Sequence, residues 1–137
     1  SAFSRAPEYE CVHNRQYWRF RPYIGLGPSA WSYFNRILYQ QTRDMHAYLE
    51  NPKKALQVRP DYPVESEKKD YMVANFRLIE GLDIADYHNR FNTSFLSEYR
   101  SAIQTTTELG LVKTNHHHVQ LTKKGRLLYD SVVAYFM

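Results

Sequence analysis

The residues SFLSEYRSAIQTTTELGLVKTNHHHVQLT, from Ser94 to Thr122, are the part of the chain whose pattern is most informative about its architecture. Its first part predicts a helix from Ser94 to Leu109, because Ser94 can cap the start and Gly110 can stop the end. Two short apolar runs around residues 114–116 then predict a β-hairpin, after which Thr122 can cap a last helix. The side chains expected to face the core are Phe95, Leu96, Tyr99 and Ile103 in the first helix, and Leu127, Leu128, Val132, Val133 and Phe136 in the last.

Two more helices are predicted just upstream of this stretch. Ser66 can cap the first, which Gly81 would end, and Asp83 can cap a short helix through Phe91. The apolar residues of the first follow helical spacing, namely Met72, Val73, Phe76 and Ile79. Three helices, a hairpin and a helix are the order of a winged helix, so residues 63–137 are predicted to form an α+β domain of that kind.

The first half of the chain is less regular. Residues 17–32 contain several strand formers, and residues 30–34 and 37–39 around a turn at Asn35-Arg36 predict a second hairpin. Thr42 can cap a helix through Leu49. Pro60 and Pro63 place a boundary near residue 62. Residues 1–62 have too few elements to close a core and are expected to be part of a larger α/β sheet or barrel.

Composition excludes several classes of protein. The 137 residues are 43% hydrophobic, with 12 tyrosines, which is typical of a folded chain with half-buried rings that hint at an interface. One cysteine excludes a disulfide framework, an all-cysteine zinc site and a complete iron–sulfur site within this chain. No apolar run approaches the ~20 residues of a membrane span and no signal peptide is visible, so a cytoplasmic protein is expected.

Charge argues against DNA as a partner. Residues 1–60 contain nine Lys/Arg and four Asp/Glu, whereas residues 61–137 contain nine and ten. The helix from Ser94 to Leu109 has one arginine and two glutamates, although a DNA-reading helix needs basic side chains. A scaffold or docking role is therefore favoured for the winged helix.

Other short motifs are weak. His116, His117 and His118 cannot all point one way, so a solvated hairpin tip is favoured over a metal site. Gly25-Leu26-Gly27 lacks the third glycine and the helix of a phosphate loop, and its glycines could let either a backbone or a ligand approach. Cys11 is expected to be a small packed residue.

The segment HNRQYWRFR, from His13 to Arg21, is the candidate binding site. Tyr17 and Trp18 can supply ring faces, and His13 can act as an axial ligand to haem iron. Arg15, Arg19 and Arg21 can pair with carboxylates such as porphyrin propionates. A basic segment that lies on another domain is the alternative.

Four ordered motifs resemble one family. His13, Asn14, Tyr17 and Trp18 match HNxxYW, and Tyr23, Gly25, Gly27, Ala30 and Ser32 match YxGxGxxAxS. Residues 77–83 fit RLxEGLD, and residues 110–112 and 121–132 fit GLV and LTxKGRLLxxSV. The chain resembles the C-terminal part of the oxygen-independent coproporphyrinogen III oxidase-like radical SAM proteins (HemN/HemW family), and its HNxxYW motif places it nearest the haem chaperone branch.

The resemblance implies that residues 1–62 are the end of an incomplete β/α radical SAM barrel. It also implies that the chain is a fragment that would be inactive alone. The parent protein would hold a [4Fe–4S] cluster and S-adenosylmethionine, and the cysteines that ligate the cluster would lie outside this chain. Haem binding and delivery is the first function implied, with His13 as metal ligand and with Asn14, Tyr17, Trp18 and the three arginines around it. Gly25 and Gly27 would be backbone neighbours of the S-adenosylmethionine side, and Trp31 stands where many relatives have histidine.

The expected partners are haem or porphyrin, the N-terminal barrel and haem-accepting apoproteins. Oxidative decarboxylation of coproporphyrinogen III to protoporphyrinogen IX is the enzymatic alternative, and a nucleic-acid-binding winged helix is the third.

Overall fold

The protein, a computed structural model, is described over residues 4–53, 56–58 and 62–137. In these ranges the chain combines helices with two three-stranded antiparallel sheets, which confirms a mixed fold of helices and strands; the barrel end and the winged helix stay predictions. The first half contains α1 (Val12–Trp18), β1 (Trp31–Phe34), β2 (Ile37–Gln41), α2 (Met45–Glu50) and β3 (Leu56–Val58). The second half contains α3 (Val64–Asn75), β4 (Leu82–Asp83), α4 (Ile84–Phe91), α5 (Phe95–Glu98), α6 (Arg100–Glu108), β5 (Val112–Thr114), β6 (His118–Leu121), α7 (Lys123–Leu127) and α8 (Tyr129–Ala134).

The predicted hairpin of the first half is confirmed. β1 pairs with β2 so that Phe34 faces Ile37 across a two-residue turn. Both turn residues, Asn35 and Arg36, have positive φ angles of 51° and 61°, as a tight hairpin turn requires. β3 adds to β2 in register with residues 39–41 and was not predicted.

The reading of residues 17–32 as strand-like is only partly right. The HNRQYW segment is helix α1, and the helix stops where Phe20 takes a φ of 53°. Beyond it the chain is irregular, apart from one bridge between Tyr23 and Tyr33. Thr42 does not cap α2, because Asp44 accepts hydrogen bonds from the backbone N–H groups of His46 and Ala47.

Two expected ends of α3 are wrong. The helix begins at Val64 with Pro63 as its cap residue, so Ser66 lies inside the first turn. It ends at Asn75, six residues before Gly81, and Ile79 is therefore outside the helix and half exposed. Gly81 instead packs against the sheet: a Cβ there would lie 2.3 Å from the carbonyl oxygen of Val119.

The other predicted caps are confirmed, but two helices are broken. Asp83 caps α4, Ser94 caps α5 and Thr122 caps α7. The helix expected from Ser94 to Leu109 is interrupted at Tyr99, and the last helix is interrupted at Leu128. The predicted second hairpin forms as β5 and β6, and β4 adds to β6 as an unpredicted third strand.

Aromatic rings fill the core of the second half. The buried rings are Tyr71, Phe76, Tyr87, Phe91, Phe95 and Phe136. Leu127 and Leu128 were wrongly expected inside: they are 74% and 45% exposed, and the predicted helix is interrupted at Leu128. Leu96 is 37% exposed and was also wrongly expected inside.

The two halves of the chain pack on each other. The Phe20 ring lies 4.7 Å from the Tyr33 ring and 5.9 Å from the Tyr71 ring, between centroids. Pro60, one of the two prolines behind the predicted boundary, lies outside the described residues, and the division at residue 62 stays a prediction. In the described part of the chain, no helix is both long and apolar enough to cross a membrane.

Candidate functional site

Helix α1 places His13 and Tyr17 one turn apart on the same side. The two rings meet edge to face with centroids 4.8 Å apart. The Tyr17 ring then meets the Tyr23 ring at 4.5 Å, again edge to face. His13 itself is exposed, so its imidazole is open to a ligand.

The opposite side of this site is the segment from Tyr23 to Trp31. Tyr23 and Tyr33 exchange two backbone hydrogen bonds of 2.8 and 3.0 Å, which ties the segment to β1. Gly25 donates its N–H to the Ser32 hydroxyl at 3.0 Å. A Cβ on Gly25 would lie 2.2 Å from the Trp31 carbonyl oxygen, so this glycine permits close backbone approach.

An open cleft of about 550 Å³ lies between α1 and this segment. Small-molecule sites commonly have volumes of ~300–1,000 Å³. Its lining residues are His13, Tyr17, Tyr23, Ile24, Gly25, Leu26, Ala30 and Trp31. Ile24 and Leu26 are 72% and 87% exposed, so the mouth of the cleft is apolar.

Gly27 lies beyond the cleft lining. Its φ of 104° disfavours an L side chain, although no atom would crowd a Cβ there. Its N–H donates to the Tyr48 hydroxyl at 3.1 Å. The structure thus places Gly25 in the cleft and uses Gly27 for a turn.

Two of the predicted arginines face away from the cleft. Arg15 and Arg19 each place Nη2 3.0 Å from Oε1 of Glu80, and Arg15 also pairs with Glu10. Partial burial raises the pKa of Glu80, but the hydrogen bond from Arg19 and the charges of both arginines outweigh it and lower the pKa. These two guanidinium groups already have a carboxylate partner.

Trp18, Asn14 and Arg21 also lie apart from His13. Trp18 lines a small pocket beside Arg77 and Glu80, not the cleft of His13. Asn14 is half-buried on α1, and it is not part of the cleft lining. Arg21 is exposed and lines a separate cleft of about 280 Å³ that also contains Asp83, Asp86 and His118. The side chains of residues 13–21 are therefore distributed over three surfaces: the cleft beside His13, the side that faces Glu80, and the cleft that Arg21 lines.

A buried ionic cluster was missed by sequence reasoning. The Glu67 side chain is 4% exposed, accepts a 2.7 Å hydrogen bond from the Tyr33 hydroxyl and pairs with Arg36 at 2.8 Å. Arg90 donates to the Tyr33 hydroxyl at 3.1 Å and to the Phe20 carbonyl at 3.3 Å. Burial, together with the bond to Glu67, raises the pKa of Tyr33. Nothing in the polar run VESEKK marks Glu67 as buried.

The remaining candidates do not form a site. Cys11 is exposed, so its expected packing is wrong. His117 is exposed, and His118 approaches Asp83 at 4.0 Å. Within the described ranges, no group of three or more His, Cys, Asp or Glu side chains could hold a metal ion.

Part of the second half of the chain matches a known domain family. Residues 69–128 match the family model of the HemN C-terminal domain. That range runs from α3 to the end of the last hairpin and into the helices that follow it.

Individual relatives extend the likeness to nearly the whole chain. The heme chaperone HemW of Buchnera aphidicola subsp. Schizaphis graminum is 27% identical over 94% of this chain and 35% of its own length. HemW of Escherichia coli K12 is 25% identical over 100% of this chain and 36% of its own length. A solved structure described as the coproporphyrinogen III oxidase HemN of Escherichia coli, a radical SAM enzyme, matches 85% of this chain and 28% of its own, with a TM-score of 0.59 and 21% identity.

The chain is therefore similar to the C-terminal regions of HemN and HemW proteins, and residues 69–128 carry the match to the HemN C-terminal domain. It spans about a third of the length of the curated relatives it matches.

Proposed function

We propose that this chain is the C-terminal part of a cytoplasmic radical SAM protein of porphyrin metabolism that binds haem and delivers it to apoproteins. The cleft beside His13 carries the proposal. The exposed imidazole of His13 lies there among aromatic and apolar residues. Its nitrogen could bind the metal of a flat metalloporphyrin, and the apolar lining could contact the macrocycle. The HemW relatives are named heme chaperones, which supports delivery over decarboxylation.

The residues of the cleft take distinct roles in this proposal. His13 is the axial ligand, and Tyr17, Tyr23 and Trp31 offer ring faces to the macrocycle. Of the three arginines, Arg21 makes no guanidinium hydrogen bond or ion pair within the described ranges. It is therefore the arginine still available to a propionate, although it lines a cleft separate from that of His13. Asn14 and Trp18 lie on α1 outside the lining of this cleft.

The same proposal gives each half of the chain a place in the architecture of the parent protein. Residues 1–62 are the end of an incomplete β/α barrel, and residues 63–137 are a winged-helix-like domain. Val12, Ile24, Leu26 and Phe34 are at least 48% exposed, and an N-terminal barrel would cover part of this apolar surface.

The radical SAM cofactors belong to the parent protein. Cys11 is the one cysteine of the chain, whereas a [4Fe–4S] cluster takes several cysteine thiolates, so the residues present do not fit it. Cluster and S-adenosylmethionine would both be held outside this chain, with Gly25 and Gly27 as backbone neighbours of the S-adenosylmethionine side.

Haem titration tests the proposal. Hemin added to the protein should give a shifted Soret band, and His13→Ala should abolish the shift because the axial nitrogen is gone. His116→Ala, at another exposed histidine, is the matched control and should behave like the wild type.

Equal binding by the wild type and His13→Ala would remove His13 as the ligand. If neither binds, the chaperone proposal fails for this chain. Turnover of coproporphyrinogen III by the parent protein would then favour the oxidase.

A further inference from the structure

Helix α1 has two faces with different partners. Successive residues of an α-helix are rotated by about 100°, so Arg15 and Arg19 lie about 200° from His13 and Tyr17. The His13 face opens onto the cleft, while the arginine face meets Glu80. A contact that holds the arginines therefore helps to set the direction in which His13 points, together with the packing of Tyr17 on Tyr23.

Helix α1 depends on contacts outside itself for its orientation. It is seven residues long, its cap residue Cys11 makes no side-chain hydrogen bond, and none of its residues is buried. Isolated helices shorter than ~12–15 residues are marginal in water. The orientation of α1 must come from contacts with the rest of the molecule.

Glu80 is well placed to supply this contact. Its Oε1 accepts from both arginines at 3.0 Å. The next residue, Gly81, has a φ of 78° and lies against the backbone of β6, where even a Cβ would not fit. Glu80 thus directly precedes the residue that packs on the sheet formed by β4, β5 and β6.

The facing wall of the cleft is held separately. Glu67 binds Tyr33 of β1 and Arg36 of the hairpin turn. Since Tyr33 also pairs with Tyr23, this second carboxylate holds the segment that carries Gly25. A change at Glu80 should move α1 and leave this wall in place.

We propose that Glu80 is a positioning residue that orients His13 and Tyr17 toward the cleft through Arg15 and Arg19. The HemN C-terminal domain then acts as the support that sets the geometry of the candidate haem site. The role toward haem rests on the proposed function, whereas the role in orienting α1 does not.

Charge reversal at Glu80 tests the orientation without any ligand. Glu80→Lys should repel both arginines, weaken the NOE between the Tyr17 and Tyr23 rings, and speed amide exchange in residues 12–18 roughly three- to tenfold, as expected for loss of two partly exposed ion pairs. Exchange in α4 and β6 should not change. Glu108→Lys, on the surface of α6, is the matched control, and Arg19→Glu added to Glu80→Lys should restore the NOE.

Hemin titration of the milder variant Glu80→Gln tests the link to the site. We expect hemin to bind several-fold more weakly, with altered axial-ligand bands, while Glu108→Gln matches the wild type. An unchanged NOE and unchanged α1 exchange in Glu80→Lys would overturn the proposal. So would a hemin spectrum and affinity identical to those of the wild type.

The experiments distinguish a failure of the proposed haem binding from a failure of the proposed role of Glu80. If the wild type binds no hemin, the proposed function fails, and the NOE and exchange data alone decide whether Glu80 orients α1.

Discussion

At the scale of single residues, hydrogen bonds from buried tyrosines to carboxylates recur in this structure. The Tyr71 hydroxyl donates to Asp86 at 2.5 Å, that of Tyr87 to Glu98 at 2.6 Å, and that of Tyr33 to Glu67 at 2.7 Å. Each ring is buried while its hydroxyl meets a charged acceptor, which raises the phenol pKa through burial and the hydrogen bond. The high tyrosine content thus serves the interior at these positions.

Tyr87→Phe measures what one such bond contributes. The ring is fully buried, so the substitution keeps its packing and leaves Glu98 without this donor. We expect the free energy of unfolding to fall by about 1.5–3 kcal/mol, as for hydrogen bonds to charged groups. Urea denaturation would measure the change, with Tyr9→Phe at a 66% exposed site as control. A loss as small as that of the control would contradict this account.

At the scale of elements, glycines decide where backbone can meet backbone. Gly81 and Gly110 have similar positive φ angles of 78° and 69°. A Cβ on Gly81 would strike the carbonyl oxygen of Val119, whereas a Cβ on Gly110 would meet open space. The two positions therefore separate the cost of a left-handed backbone from the cost of a clash.

Gly81→Ala should destabilise the protein more than Gly110→Ala. The shared conformational cost is about 1–2 kcal/mol, and the clash with β6 adds to it only at residue 81. Thermal or chemical denaturation of the two variants gives the difference directly. Equal losses would mean that β4 and β6 can separate slightly at no cost.

At the scale of the whole molecule, Arg90 of α4 joins the two halves. Its guanidinium donates to Tyr33 and to the Phe20 carbonyl, and it lies 5.6 and 5.1 Å from the centroids of the Phe20 and Tyr71 rings. One side chain of the second half thus contacts both the segment after α1 and the hairpin.

Arg90→Met should loosen this junction. We expect a loss of about 1.5–3 kcal/mol, because the Tyr33 hydroxyl and the Phe20 carbonyl lose a charged donor and Glu67 loses an ion pair at 3.7 Å. Hydrogen exchange should rise first in residues 20–41 and later in the core around Phe76. Arg100→Met, on exposed α6, serves as the control, and an equal rise in both halves would show that Arg90 does not act at the junction.

Local chemistry was enough to predict several elements from sequence. The caps at Asp83, Ser94 and Thr122 depend on short side chains that bond backbone groups two or three residues away. The Asn35-Arg36 turn was likewise predictable from the two apolar runs that flank it, before its contact with Glu67 was known. The ends of α3 were missed because Pro63 and the packing of Gly81 on β6 overrode the local signals at Ser66 and Gly81.

Sequence patterns were sufficient to predict the order of helices and hairpin in the second half. They marked His13 and Tyr17 as candidates by side-chain chemistry alone, because the helix that brings the two residues together was not predicted. That Arg15 and Arg19 face Glu80 instead of a ligand depends on tertiary packing and could not be read from the sequence. The tertiary structure alone revealed that Glu67 is buried under the hairpin. Such pairings join residues more than 30 positions apart, and whether a charge is exposed or paired depends on which elements pack against it.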